Sequence, residues 1–555
     1  MISNKMKVNF LKILMLFLII VSQTQVFAQK DKEKPNKKSP YSINMANGWL
    51  QYNNEDYYGA LRTYRKIYKD YINDGKLNFR IGQCLIKTYN MDSALYHLKK
   101  SIEMDTTLGK DAYFLLGKAY HYKGDLDNAI RYYEKYKTML KPKQLEKNVV
   151  NNLLRQCETA KKLMSNPVNV EIKNMGPNIN TKFTDANPSI TADGKIFIFT
   201  SRRPENIGGQ IDPAVEEYFD DIYIAKYDKE NHEWGKAVNI GEPINTPGHD
   251  ANLSITPDGT KILIYKNVTG ETKSGDIYYS DFKENGQWSD PKPFGNKYIN
   301  SSYFETSACL TADGKTLYFV SEREKGGFGH GDIYVSKLVN GEWTKPENLG
   351  PTINTEYDEV GVYIHPDGKT LFFSSNGHNT MGGHDIFMST LDDNGNWTTP
   401  INMGYPINTT KEEIHFVFTT DRKVAYLSSS RDGGYGKMDI YKINMAYYFK
   451  TNKNIDKELA AKISGPPLSI LKGTVINASK KAPVSTNIII KQIPSNKTFI
   501  ASSNSKGEYF IALPANEKYE LTIKKKGFKP ISIKFKLPEG KNETYTLVKH
   551  IFLNK

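Results

Sequence analysis

Cysteine is scarce in this chain: three in 555 residues, at positions 84, 157 and 309. Three thiols cannot build a disulfide framework, and their spacing fits no metal site. Cys84 and Cys157 fall in helical patterns and Cys309 in a strand pattern, so all three are expected as buried free thiols. Catalytic signatures are missing as well. There is no His-Glu-x-x-His, no Gly-x-Ser-x-Gly, no Walker loop and no Gly-x-Gly-x-x-Gly after a strand. His249, His330, His365, His378 and His384 lie in loops and strands without metal-ligand spacing. No enzyme activity, metal or cofactor is therefore expected. Long apolar runs are rare too. Only Phe10 to Val21 comes close, broken by Lys12, and it is shorter than the ~20 residues of a spanning helix.

That run reads as an export signal. Lys5 and Lys7 precede it, and Val26-Phe27-Ala28 follows with residues that suit a cleavage site after Ala28. The rival reading is an uncleaved membrane anchor. The expected divisions are a signal over 1–28, a basic linker over 29–40, helical repeats over 41–165, a β-propeller over 168–449, a linker over 450–467 and a small β-sandwich over 468–553. The fold class is thus multidomain, α-helical repeats followed by β.

A 34-residue period organises the first region. Gly48, Gly82 and Gly117 are 34 and 35 apart, and Ala60, Ala94 and Ala129 follow them by 12 residues each. Small residues at these places let paired helices approach closely. The pattern resembles the tetratricopeptide repeat, which implies helix pairs that present a groove to a protein partner.

A longer period fills the middle. Ile-Asn recurs at Ile179, Ile244, Ile299, Ile353 and Ile407. An Asp-Gly turn recurs at Asp193, Asp258, Asp313 and Asp367, degenerate at Asp421. Asp-Ile-aromatic recurs from Asp221, Asp276, Asp332, Asp385 and Asp439, and Trp at 234, 288, 343 and 397. About four strand-like runs per unit predict a propeller of five blades. The fifth unit lacks a fourth strand, and the orphan segment from Val168 to Gly176 is expected to supply it and close the ring. An insertion near Asn206 to Tyr218 sets the first unit apart. The units resemble the PD40 (WD40-like) repeats of TolB-type envelope propellers.

One carboxylate per unit precedes the first strand: Asp185, Asp250, Glu305, Glu359 and Glu413. If the five line the central channel they form an acidic ring able to bind a cation or a basic peptide. The alternative is that each bonds backbone N–H groups between blades.

The last region carries Gly473-Thr474-Val475, Lys506-Gly507-Glu508-Tyr509-Phe510 and Lys526-Gly527-Phe528 between alternating apolar residues. It resembles the carboxypeptidase-regulatory domain, which implies an accessory without peptidase chemistry. The formal charge of +14 is concentrated here: from Leu468 onward there are 16 Lys, no Arg and 5 Glu. Such a surface can meet an anionic cell wall or membrane, or can be merely a solvated face. Scattered lysines without interleaved aromatics argue against nucleic acid.

The order of modules resembles the PorE-type envelope proteins of Bacteroidetes linked to type IX secretion, without the OmpA-like domain that normally follows. The resemblance implies a non-enzymatic scaffold of the periplasm or outer-membrane periphery in a Gram-negative cell. Its partners would be other envelope proteins. The alternative is a glycan-binding or polysaccharide-active propeller.

Overall fold

The computed structural model describes residues 40–146, 148–267, 275–452, 465–541 and 544–555. The expected signal, nearly all of the first linker and most of the second lie outside the described residues.

Six helices form three antiparallel pairs: α1 (Pro40–Asn53) with α2 (Tyr57–Tyr68), α3 (Gly75–Lys87) with α4 (Met91–Met104), and α5 (Gly109–Tyr122) with α6 (Leu126–Thr138). Helix α7 (Val150–Ser165) packs on α6. Local chemistry sets the starts. Asp56, Asp74, Asn90 and Asp125 each accept the N–H three residues on, at 2.7, 2.6, 3.3 and 3.2 Å, satisfying donors that a helix start leaves free. The periodic small residues sit at the crossings. A Cβ on Gly48 would lie 2.4 Å from the Tyr64 ring, and one on Gly117 the same distance from Tyr133. Ala60, Ala94 and Ala129 are fully buried.

Five sheets follow. Their first three strands are Asp185–Ile190, Ile196–Ser201 and Asp221–Asp228; His249–Ile255, Lys261–Asn267 and Asp276–Asp281; Glu305–Leu310, Thr316–Ser321 and Asp332–Val339; Glu359–Ile364, Thr370–Ser375 and Asp385–Thr390; and Glu413–Phe418, Val424–Ser429 and Asp439–Asn444. The first strand of each sheet packs on that of the next, and the fifth on the first. The segment Glu171–Asn174 completes the fifth sheet, with Glu171 opposite Asn444 and Asn174 opposite Tyr441. Asp-Gly turns join the first two strands. In the second sheet Thr256 Oγ1 donates to Asp258 at 2.6 Å and Gly259 takes φ +77°, which an L side chain resists.

The C-terminal region has two sheets around one core. Strand Leu468–Asn477 pairs with Glu508–Pro514 on one side and with Thr546–Val548 and Ile551–Leu553 on the other. The second sheet runs Thr498–Ser502, Asn487–Ile493, Glu517–Ile523, Ile531–Leu537 in spatial order. Where the second linker was expected to begin, Tyr448–Thr451 forms a helical turn, pinned by the buried Tyr448 hydroxyl donating to Met403 O at 3.1 Å.

Candidate functional site

The recurring residues build one device five times over. Each Ile of Ile-Asn is fully buried. The Asn after it clips the third strand of the preceding sheet. Asn180 accepts Ile440 N–H at 2.9 Å and donates to Ile440 O at 2.8 Å. Asn245 does the same to Ile222, Asn300 to Ile277, Asn354 to Ile333 and Asn408 to Ile386. One amide thus pairs with a backbone position as another strand would.

The five carboxylates complete the device. Asp185, Asp250, Glu305, Glu359 and Glu413 are each 0–1 % exposed. Each accepts the backbone N–H and the hydroxyl of a Thr or Ser four residues earlier; for Glu413 the donors are Thr409 N at 2.8 Å and Thr409 Oγ1 at 2.9 Å. Four also receive a cation from their own sheet, buried for Arg203 and Lys266 and part-buried for Arg323 and Arg431. Arg203 reaches Asp185 at 2.7 Å, Arg323 reaches Glu305 at 3.2 Å, Arg431 reaches Glu413 at 3.4 Å, and Lys266 pairs with Asp250. Each cation also donates to the preceding Ile carbonyl, at Ile179, Ile299, Ile407 and Ile244.

The acidic ring therefore does not form. Its oxygens are turned into the sheets' own donors because a buried carboxylate without partners is costly. The space along the axis, about 30 Å³, is lined instead by neutral groups such as Ser189, Leu253, Gly361, Tyr363, His415 and Phe416. Burial pushes the His415 imidazole down to about 4, so it too is uncharged near neutrality. The backbone N–H that each accepts lies in the loop leading into the carboxylate's own strand.

The fourth sheet departs from the rule. Gly377 stands where three of the other sheets carry Arg203, Arg323 and Arg431, and His378 takes over the outer contact, its ring nitrogen 2.9 Å from Ile353 O. His378 lies 5.8 and 5.1 Å from the rings of Phe373 and Phe387. Arg323 lies likewise over Phe319 and Tyr334. Glu359 keeps Thr355 and Ser375 as donors but has no cation partner among the described residues, and burial pushes its carboxyl up to about 7.

That departure coincides with a domain contact. Met381, in the same loop, is fully buried in the core of the helical domain. Its carbonyl lies 2.9 Å from His121 Nε2 of α5, and Asp385 holds its N–H at 2.8 Å. Gln156 of α7 donates to Thr380 at 2.9 Å, and Tyr122 donates to Ser430 at 3.2 Å. The insertion in the first sheet serves the same junction: its hairpin Ile211–Asp212/Glu217–Tyr218 carries Glu216, which pairs with Arg62 of α2. Trp49 (50 %), Leu50 (55 %) and Tyr96 (55 %) on the first two helix pairs are exposed.

On the C-terminal side Lys315 donates to Ser502 at 3.1 Å and Lys423 pairs with Glu539 at 2.8 Å. A cleft of about 720 Å³ runs between the middle sheets and the C-terminal domain, with Asp258, Asp313, Tyr279 and Trp343 on one wall and Lys472 and Phe510 on the other. Among the described residues no group of three or more His, Cys, Asp or Glu side chains could hold a metal ion. The three thiols are buried, and burial pushes each up to about 12.

The sequence reading missed these cations, although Ser-x-Arg after the second strand (Ser201 to Arg203, Ser321 to Arg323, Ser429 to Arg431) carried the signal. Lys266 escapes that pattern because it sits inside a strand.

The Carboxypeptidase regulatory-like domain family matches residues 470–548. No curated protein matches the chain. Among solved structures it is similar to TolB from Acinetobacter baumannii (19 % identity, TM-score 0.29, covering 47 % of this chain and 54 % of that one). It is also similar to an alpha-L-arabinofuranosidase from Lactobacillus brevis (15 %, TM-score 0.33, 48 % and 91 %) and the periplasmic gluconolactonase of Pseudomonas aeruginosa (7 %, TM-score 0.27, 65 % and 86 %). The chain thus spans about half the length of the TolB structure.

Proposed function

We propose that this protein is a non-enzymatic scaffold of the cell envelope, in which a closed five-bladed propeller carries a helical repeat array that binds other envelope proteins. The observation that carries this reading is the exposed set Trp49, Leu50 and Tyr96 on the first two helix pairs, side chains that the contact made by Arg62 and Glu216 leaves open. Exposed aromatic and apolar side chains grouped on one module mark protein-binding surfaces. The module order supports a place beside the type IX secretion machinery, as in PorE-type proteins. Capture of a tagged chain from crosslinked cells tests this. Secretion components are expected with the native protein and should be depleted with Trp49→Ala/Leu50→Ala. Equal recovery with both, or recovery of glycan-utilisation proteins alone, counts against it.

A second reading, a glycan-binding protein, has one observation in its favour. Aromatic Tyr279 and Trp343 share a cleft with Asp258 and Asp313, the mixture of flat apolar faces and hydrogen-bonding groups that sugars use. Saturable quenching of tryptophan fluorescence by envelope oligosaccharides, lost in Trp343→Phe, would favour it.

A further inference from the structure

The second sheet of the C-terminal domain has two faces of opposite character. Ile488, Ile490, Tyr519, Leu521 and Ile523 point inward and are buried. The strand register fixes the other face row by row. Ile500, Ile489, Thr522 and Ser532 lie side by side across the four strands. The next row is Thr498, Lys491, Glu520 and Lys534, and the next Ile493, Lys518 and Lys536.

Three features of this grid go together. Lys518 and Lys536 are direct cross-strand partners, and like charges so placed repel unless something anionic lies over them. The only acid in these rows is Glu520, which accepts the Ser532 hydroxyl at 2.6 Å. Beyond the opposite end of the sheet, Lys524, Lys525, Lys526 and Lys529 are all exposed on the loop joining its last two strands. Within this field sits an apolar pair, Ile500 (64 % exposed) opposite Ile489 (36 %). At one corner of the face Ser502 touches Lys315 of the propeller; Ile500 and the lysines remain open.

We propose that this face docks onto an anionic lipid surface. Lysine is a flexible point charge whose stem can lie along apolar material while its ammonium reaches a headgroup phosphate. Several of them beside a membrane act additively through its surface potential. The isoleucine pair decides between partners. A dissolved polyanion gains nothing from an exposed aliphatic pair, whereas the boundary between headgroups and acyl chains takes it out of water. The absence of arginine from this domain fits a diffuse field rather than bidentate recognition of one phosphate group. The inference rests on the envelope reading for its setting, but it does not depend on any protein partner.

The test is sedimentation of the chain lacking residues 1–28 with vesicles of phosphatidylglycerol and phosphatidylcholine, against vesicles of phosphatidylcholine alone. Binding is expected only to the anionic vesicles, falling as salt is raised. Lys518→Glu/Lys534→Glu/Lys536→Glu should weaken it by at least about tenfold. Ile500→Asp should weaken it with every lysine in place, and Lys534→Gln/Lys536→Gln serves if the charge reversals disturb the fold. No binding to anionic vesicles, equal binding to neutral ones, or Ile500→Asp binding as the parent does would overturn the proposal. That last result would mean a general polyanion surface. Since the readout is lipid, failure here leaves the protein-scaffold reading standing, and failure of that reading leaves this one intact.

Discussion

At the scale of single residues, the repeat provides its own controls. Glu413 and Glu359 occupy the same register and share the same kinds of donors, yet only Glu413 faces a guanidinium. In Glu413→Gln the new amide would meet the Arg431 donor, leaving a part-buried guanidinium without its counter-charge, so a loss of about 2 kcal/mol is expected in chemical unfolding. Glu359→Gln should be mild, because its amide can donate to the Thr355 and Ser375 hydroxyls while its carbonyl accepts Thr355 N–H. Burial raises both carboxyls, but at Glu413 the Arg431 charge works against the rise and at Glu359 no such charge does. Burial raises the folded Glu359 carboxyl from 4.5 to about 7. The folded state therefore holds a proton that the unfolded state releases, and this group's contribution is full below about 4.5 and lost as pH rises through 7. Melting curves from pH 4.5 to 7.5 should show Glu359→Gln gaining on the parent as pH rises. A constant difference across that range would refute the assignment.

At the scale of elements, the loop of the fourth sheet is the joint between two domains. Met381→Asp places a carboxylate in the helical core, where it lacks partners. Hydrogen exchange should then quicken at the end of α5, around His121 and Tyr122, and in residues 376–384, while the other sheets stay protected. Unchanged exchange would show that the contact carries no stability. The strand Glu171–Asn174 allows a second test: deleting residues 168–176 leaves the Asp439–Asn444 edge unpaired, so the shortened protein should aggregate. A monomer of native stability would count against ring closure by this strand.

Much of this scale was legible in the sequence, and the reasons are physical. Gly48 and Gly117 announced close helix crossings because only a missing Cβ fits beside Tyr64 and Tyr133. Asn174 announced the fourth strand of the fifth sheet because it repeats the role of Asn402: each amide bonds the Asp of the third strand, Asp439 and Asp385. The fate of the carboxylates was not legible. Period places Asp185 and its equivalents at the start of the first strand, but it does not say which way a side chain turns there. That is settled by cations 16 to 18 residues further on. Met381 was invisible for a related reason: its partner core lies more than two hundred residues earlier in the chain.

At the scale of the whole molecule, the propeller-like body is held by both flanking domains. His121, Tyr122 and Gln156 grip it from the helical side, and Lys315 and Lys423 reach the C-terminal domain. Part of the helical array is thereby committed to an internal contact, while Trp49, Leu50 and Tyr96 stay exposed on the first two helix pairs. Among the described residues no helix is long and apolar enough to cross a membrane; attachment by the C-terminal lysine face is expected to be salt-sensitive. The central claim is that partners bind the exposed side chains of α1. The most direct measurement is photocrosslinking in living cells with a reactive amino acid at position 50, compared with the same probe at the exposed Lys229. The account predicts discrete protein adducts from position 50 that are absent from position 229. Identical patterns from both, or none from position 50, would contradict it.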